Sequence, residues 1–138
     1  MENRKWKNDR KGKRMQSYKE LHVYKKSYEQ AKEIYRVTKA FPKEELYAMT
    51  SQIKRAATSI PLNIAEGYGK VEMGKEVLRY LSMARGSSAE MEVLLEFSKD
   101  FEWISEEEYR ELVERQQVIG KMLTRLMQSL NQSQKLNC

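Results

Sequence analysis

Four stretches of this chain carry apolar residues at alternating spacings of three and four, and nothing else in it limits the fold as strongly. The clearest are Val77, Leu81, Ala84, Ser88, Met91, Leu95 and Ser98, and then Tyr109, Leu112, Gln116, Ile119, Leu123, Leu126 and Leu130. Leu46, Met49, Ile53, Ala56/Ala57, Ile60 and Ile64 form a third stripe, and Leu21, Tyr24, Tyr28, Ala31, Tyr35 and Thr38 a fourth. Each is one face of an amphipathic helix. No sustained period-two alternation accompanies them, so strands are not expected. Short connections between helices of this length predict an all-α, antiparallel up-down-up-down four-helix bundle.

Boundary signals agree with that count. Ser17-x-x-Glu20 and Ser105-x-x-Glu108 match capping boxes ahead of the first and fourth helices. Phe41-Pro42 ends the first helix, because a residue before proline avoids the α region. The second is expected to start near Lys43 or Glu44 and to stop at Gly67, with glycine at C′. Its apolar register continues in phase across Pro61, which predicts a continuous helix kinked there. The proline ring leaves the Ala57 carbonyl in need of a donor, for which Thr58, Ser59 or a water is available. The small run Ala56–Ser59 is expected to face a second small run, Ala84–Ala89, because small side chains let helices approach closely. The third helix is expected over Lys75–Lys99. Phe101–Ile104 should cover one end of the core, and the fourth helix should fray from Asn131. The domain plan is then a disordered basic arm over 1–17, the bundle over 18–131 and a frayed tail over 132–138.

At 138 residues the chain suits one domain with a real core. No apolar run approaches the ~18 residues of a membrane span, and no apolar stretch follows the basic start as in a secretory signal. The one cysteine, Cys138, allows no internal disulfide and suits a reducing cytoplasm. The net charge of +6 is uneven. Residues 1–16 hold seven basic and two acidic residues, residues 17–85 thirteen and eight, and residues 86–138 six and ten. The arm reads as a contact for polyanions, or else as a solubilising tail or a leader from a misassigned start codon.

The chemistry-bearing residues are few. His22 is the one histidine, so Cys/His zinc sites and Glu-x-x-His di-iron sites are excluded, and no catalytic residue or cofactor is expected. Gly67-Tyr68-Gly69-Lys70 lacks the strand and the spacing of a phosphate loop. Asn63 and Glu66 lie at the end of the second helix's apolar face. They read as a polar clamp with Arg55, Arg79 or Arg85, in preference to a ligand site. Lys25, Lys32, Arg36 and Lys39 lie opposite the first helix's apolar stripe, with Lys54 and Arg55 following on the second. These six are either an ordinary solvated face or a surface that contacts phosphates without reading sequence.

The run Thr50-Ser51-Gln52-Ile53-x-Arg55-Ala56-Ala57-x-Ser59-Ile60-Pro61-x-Asn63-Ile64-Ala65-Glu66-Gly67-Tyr68-Gly69 carries a family likeness. So do Leu21-x-Val23-Tyr24-Lys25, Ile34-Tyr35-x-x-Thr38-x-x-Phe41-Pro42 and Ala84-Arg85-Gly86-Ser87. Over residues 18–130 the chain resembles the 23S ribosomal RNA intervening-sequence protein family, also called four-helix bundle proteins. Met73-Gly74 and Ser88 depart from the usual pattern. The resemblance implies a bacterial, cytoplasmic bundle that assembles as a ring-shaped homopentamer. Through the similar accessory proteins of diversity-generating retroelements it also implies nucleic-acid binding and a protein partner such as a reverse transcriptase. It supplies no catalytic residue. A ring needs a heterologous interface, which a basic first half and an acidic second half would suit.

Overall fold

A computed structural model describes residues 17–69 and 74–136, without the side chains of 74, 75 and 134–136. The basic arm, the middle of the loop before the third helix, and Cys138 lie outside the described residues. The helices are α1 (His22–Val37), α2 (Met49–Gly69), α3 (Gly74–Asp100) and α4 (Glu106–Leu136), and no strand occurs among the described residues. Each helix packs on its neighbours in sequence, and α1 packs on α4 to close the four-helix bundle. Between α2 and α3, Gln52 meets Glu90, Ser59 meets Ser87 and Gly67 meets Tyr80, so this pair runs antiparallel.

The stripes of α3 and α4 turn inward as their spacing predicts, and so does that of α2 from Met49 onward, whereas Leu46, which lies ahead of the helix, is 49% exposed. Ile53, Ile60, Ile64, Leu81, Met91, Leu95, Ile119 and Leu123 are almost fully enclosed, each worth roughly 1.5–3 kcal/mol of burial. The predicted approach of the small runs is present: the Ser59 and Ser87 hydroxyls lie 2.6 Å apart.

α1 presents a different face from the expected one. Its buried residues are Val23, Ser27, Gln30, Ala31, Ile34 and Val37, whereas Tyr28 and Tyr35 are 47% and 46% exposed. Two polar residues enter the core because partners are waiting there. The Ser27 hydroxyl donates to the Tyr24 carbonyl at 3.1 Å. The Gln30 amide donates to the Leu112 carbonyl at 2.8 Å and to Gln116 Oε1 at 3.1 Å. Gln116 Nε2 donates in turn to Ser88 Oγ at 2.9 Å. One polar chain thus crosses the core from α1 through α4 to α3.

The helix ends also differ in part. Ser17 Oγ accepts from the Lys19 amide at 2.9 Å and starts a single 3₁₀ turn over Tyr18–Glu20, not a capping box. Leu21 is extended, and the α-helix begins after it. Lys43–Glu45 form another 3₁₀ turn, and α2 begins later than expected, at Met49, whose amide meets Glu45 Oε1 at 3.3 Å. The second capping box is made in both directions, Glu108 N to Ser105 Oγ at 3.0 Å and Ser105 N to Glu108 Oε1 at 3.1 Å.

α2 runs unbroken through Pro61 and continues past Gly67 to Gly69. Neither hydroxyl beside the proline serves Ala57. Thr58 donates to Lys54 O at 3.0 Å, and Ser59 to Ala56 O at 2.8 Å. Gly67 does not end the helix. A Cβ there would lie 3.0 Å from Tyr80 Cβ and 3.5 Å from the Val77 backbone, so the glycine is what lets α2 and α3 close together. α4 continues beyond Asn131 to Leu136. α3 ends in a Schellman motif, with the Trp103 amide on Ser98 O, the Glu102 amide on Lys99 O and Glu102 left-handed at φ 64°. The turn then covers one end of the core: Ile104 is buried, and Trp103 lies between Phe41 and Phe101, each 5.1 Å away.

Candidate nucleic-acid interface

The tyrosines that α1 leaves outside line a groove against α2. Tyr18, Tyr24, Tyr28, Ala31 and Tyr35 form one wall and Pro61, Leu62 and Ala65 the other, around about 670 Å³. Tyr24 meets Tyr18 edge-on at 5.1 Å and stacks on Tyr28 at 5.8 Å. Burial, reinforced by those two neighbouring phenols, raises the Tyr24 hydroxyl above the usual tyrosine range. Leu62, on the other wall, is 65% exposed.

The cations expected on this side do not form one row. Lys32, Arg36 and Lys39 border the tyrosine groove. Lys25 lines a different groove, between α1 and α4, with Glu29, Glu33 and Arg115. Lys54 reaches from α2 over the Tyr35 ring at 4.7 Å, and Lys32 lies 5.4 Å from the Tyr28 ring. Arg55 is exposed on α2.

Two of these cations already have carboxylates one turn back. Lys32 Nζ is 3.3 Å from Glu29 and Arg36 Nη2 is 2.8 Å from Glu33. The hydrogen bond from Arg36 holds the Glu33 carboxyl below its ordinary range, and Glu33 raises Arg36. Both pairs are exposed and contribute little stability, yet they cancel charge where phosphate attraction was expected.

The predicted clamp is not assembled as a buried unit. Asn63 Nδ2 donates to Ser59 O at 2.8 Å, one turn back in its own helix. Arg79 donates to Glu76 at 2.7 Å, likewise within its own helix, and lies over Tyr80 at 4.5 Å. Glu66 and Arg85 are on exposed faces. α2 and α3 are tied instead by Ser59 with Ser87, by Gln52 Nε2 on Glu90 at 3.3 Å, and by the close approach at Gly67.

The tyrosine groove was missed by sequence reasoning, although one signal pointed to it. Leu62 falls out of phase with the apolar stripe of α2, and an out-of-phase leucine marks a second apolar face. Among the described residues no cluster of three His, Cys, Asp or Glu is placed to hold a metal. His22 is exposed at the first position of α1. No helix of the described residues is long and apolar enough to cross a membrane.

The class the described residues define is an all-α four-helix bundle, with a polar chain through its core, a tyrosine groove outside and scattered surface cations. The chain belongs to the 23S rRNA-intervening sequence protein family, whose model matches residues 19–125. It is similar to a crystal structure of a protein of unknown function from the S23 ribosomal protein family of Bacteroides thetaiotaomicron, with 29% identity and a TM-score of 0.70. That similarity covers 77% of this chain and 95% of the other. No curated protein matches the chain.

Proposed function

We propose that the protein is a non-enzymatic, homo-oligomeric bundle of the cytoplasm that associates with RNA through basic outer surfaces, without strong sequence readout. Membership of a family named for 23S rRNA intervening sequences is the observation that carries this reading. The exposed cations on α1 and α2 agree with it. Mobility shift with a structured RNA is the test. Displacing counterions from about four phosphates makes affinity fall roughly 100-fold between about 50 and 200 mM salt. Absence of binding at the lower salt overturns the reading.

The tyrosine groove favours a second role for the same protein, as a scaffold that docks protein. Its apolar walls and basic rim suit an apolar, acidic surface, and the second half of the chain carries the acidic excess. A further copy of the chain is the first occupant, in a ring for which a pentamer is the proposed count. A separate partner such as a reverse transcriptase is the alternative occupant. Leu62→Glu places a charge in the groove at an exposed position. Light scattering at micromolar concentration is expected to show an oligomer for the parent chain and a monomer for the variant. A monomeric parent overturns self-assembly, and an unchanged variant removes the groove from it.

A further inference from the structure

The cations expected to meet phosphate are those of α1, but the helices place a more open basic cluster elsewhere. Arg85 of α3 and Lys121 and Arg125 of α4 converge on a groove of about 630 Å³ between these two helices. Lys121 and Arg125 lie one turn apart, about 6 Å along the axis. Ser88, Ala89 and Gly120 keep the floor low; a Cβ on Gly120 would already touch Ser88 Oγ at 3.5 Å. The groove can therefore admit a polymer strand between its walls. Thr124 and Gln117 also line it and supply neutral hydrogen-bond donors.

Charge state separates this groove from the α1 face. Among the described residues, Arg85, Lys121 and Arg125 have no carboxylate within ion-pair distance, whereas two of the three cations on the tyrosine groove, Lys32 and Arg36, each have one and Lys39 alone does not. Glu92 is the one acid among the lining residues, and it stands against the three cations. An unpaired cation still holds counterions to release and donors to offer, while a paired one must first give up its carboxylate. The acidic balance of the second half, which draws attention away from it, sits largely elsewhere: Glu106, Glu107 and Glu108 form the first turn of α4.

We infer that the α3–α4 groove is the principal phosphate-contacting site of the protein, with Arg85, Lys121 and Arg125 binding the phosphodiester backbone of RNA. This rests on the RNA reading above and gives it a location. The experiment is mobility shift of one structured RNA with three proteins: the parent chain, Arg85→Ala/Lys121→Ala/Arg125→Ala and Lys32→Ala/Arg36→Ala/Lys39→Ala. The first triple variant is expected to bind roughly 100-fold more weakly at low salt, and its slope of log affinity on log salt is expected to flatten by about 2 to 3. The α1 triple variant is expected to lose much less. All six positions are exposed or border open grooves, so thermal melting should be unchanged; if the first triple variant does not fold, the single exposed change Lys121→Glu is expected to weaken binding in its place. Parent-like binding by the α3–α4 variant, or equal losses in both triple variants, overturns the inference while leaving RNA association intact. A parent chain that binds no RNA overturns both.

Discussion

Gln116→Ala is expected to lower the stability of the bundle by about 4 kcal/mol, a shift of roughly 13 °C in Tm. Gln116 is fully buried and is the middle member of the polar chain from Gln30 to Ser88. Truncation leaves a cavity, which by itself costs about 2 kcal/mol or more. It also takes a partner from both the Gln30 amide and the Ser88 hydroxyl, and each buried group left short costs about 1 kcal/mol or more. Gln30 Oε1 already lacks a hydrogen-bond partner in the structure, so the chain is incompletely satisfied even when whole. Replacing all three members with apolar residues, Gln30→Leu/Ser88→Ala/Gln116→Leu, is therefore expected to restore most of the loss, because no polar group is then stranded. Urea unfolding of the single and triple variants measures both. A Gln116→Ala change within about 0.5 kcal/mol of the parent removes the chain from the stability of the core.

Gly67→Val is the second large effect, expected to cost about 3 kcal/mol. A β-branched side chain at Gly67 meets Tyr80 Cβ and the Val77 backbone, neither of which can swing away. Gly67→Ala sets two effects of similar size against each other. Alanine gains about 1 kcal/mol of helix propensity over glycine, and the 3.0 Å approach to Tyr80 Cβ costs a comparable amount. Its net change is expected within about 1 kcal/mol of zero. Gly86 is the control: it is helical and exposed, and nothing stands within 4 Å of a Cβ there. Gly86→Ala is expected to stabilise by about 1 kcal/mol. Thermal melts of the three variants should therefore rank Gly86→Ala above the parent and Gly67→Val well below it. If Gly67→Val melts with the parent, the close approach of α2 and α3 is not what the glycine provides.

A clear loss of stability at Gly67→Ala points instead to a helix-ending role. A glycine that ends a helix in the left-handed conformation resists alanine by about 1–2 kcal/mol for backbone reasons alone. The sequence suggests that role, because glycine follows the last apolar residue of the stripe. The structure instead puts the left-handed residue at the end of α3, and it is Glu102.

α1 shows most clearly why part of the site was hidden. It carries two stripes at helical spacing, displaced by about one residue. Tyr24, Tyr28, Ala31 and Tyr35 make one; Val23, Ser27, Gln30, Ile34 and Val37 make the other. Residue by residue the tyrosine stripe looks the more apolar, since the second contains a serine and a glutamine. The second is buried because Leu112 O and Gln116 stand opposite Gln30, and those partners belong to a helix more than eighty residues away in sequence. Once that face turns inward, the tyrosines must line the outside, and the groove against Pro61 and Leu62 follows.

The cations divide in the same way. The row Lys25, Lys32, Arg36 and Lys39 is legible from spacing, and so are the acids at Glu29 and Glu33 that neutralise part of it. Lys121 and Arg125 are an i,i+4 pair legible within α4, but Arg85 joins them from α3, and no pattern within a single helix brings all three together.

The helix count, the inward faces of α2, α3 and α4, the meeting of the two small runs and the capping box at Ser105 are all legible in the order of residues along the chain. Each of these is carried by periodicity or by a bond between residues a few positions apart. Packing between helices settles which face of α1 turns inward, what Gly67 is for, and which cations share the α3–α4 groove. Each of those depends on what a neighbouring helix presents at the same height, and the period of a single helix carries no information about that.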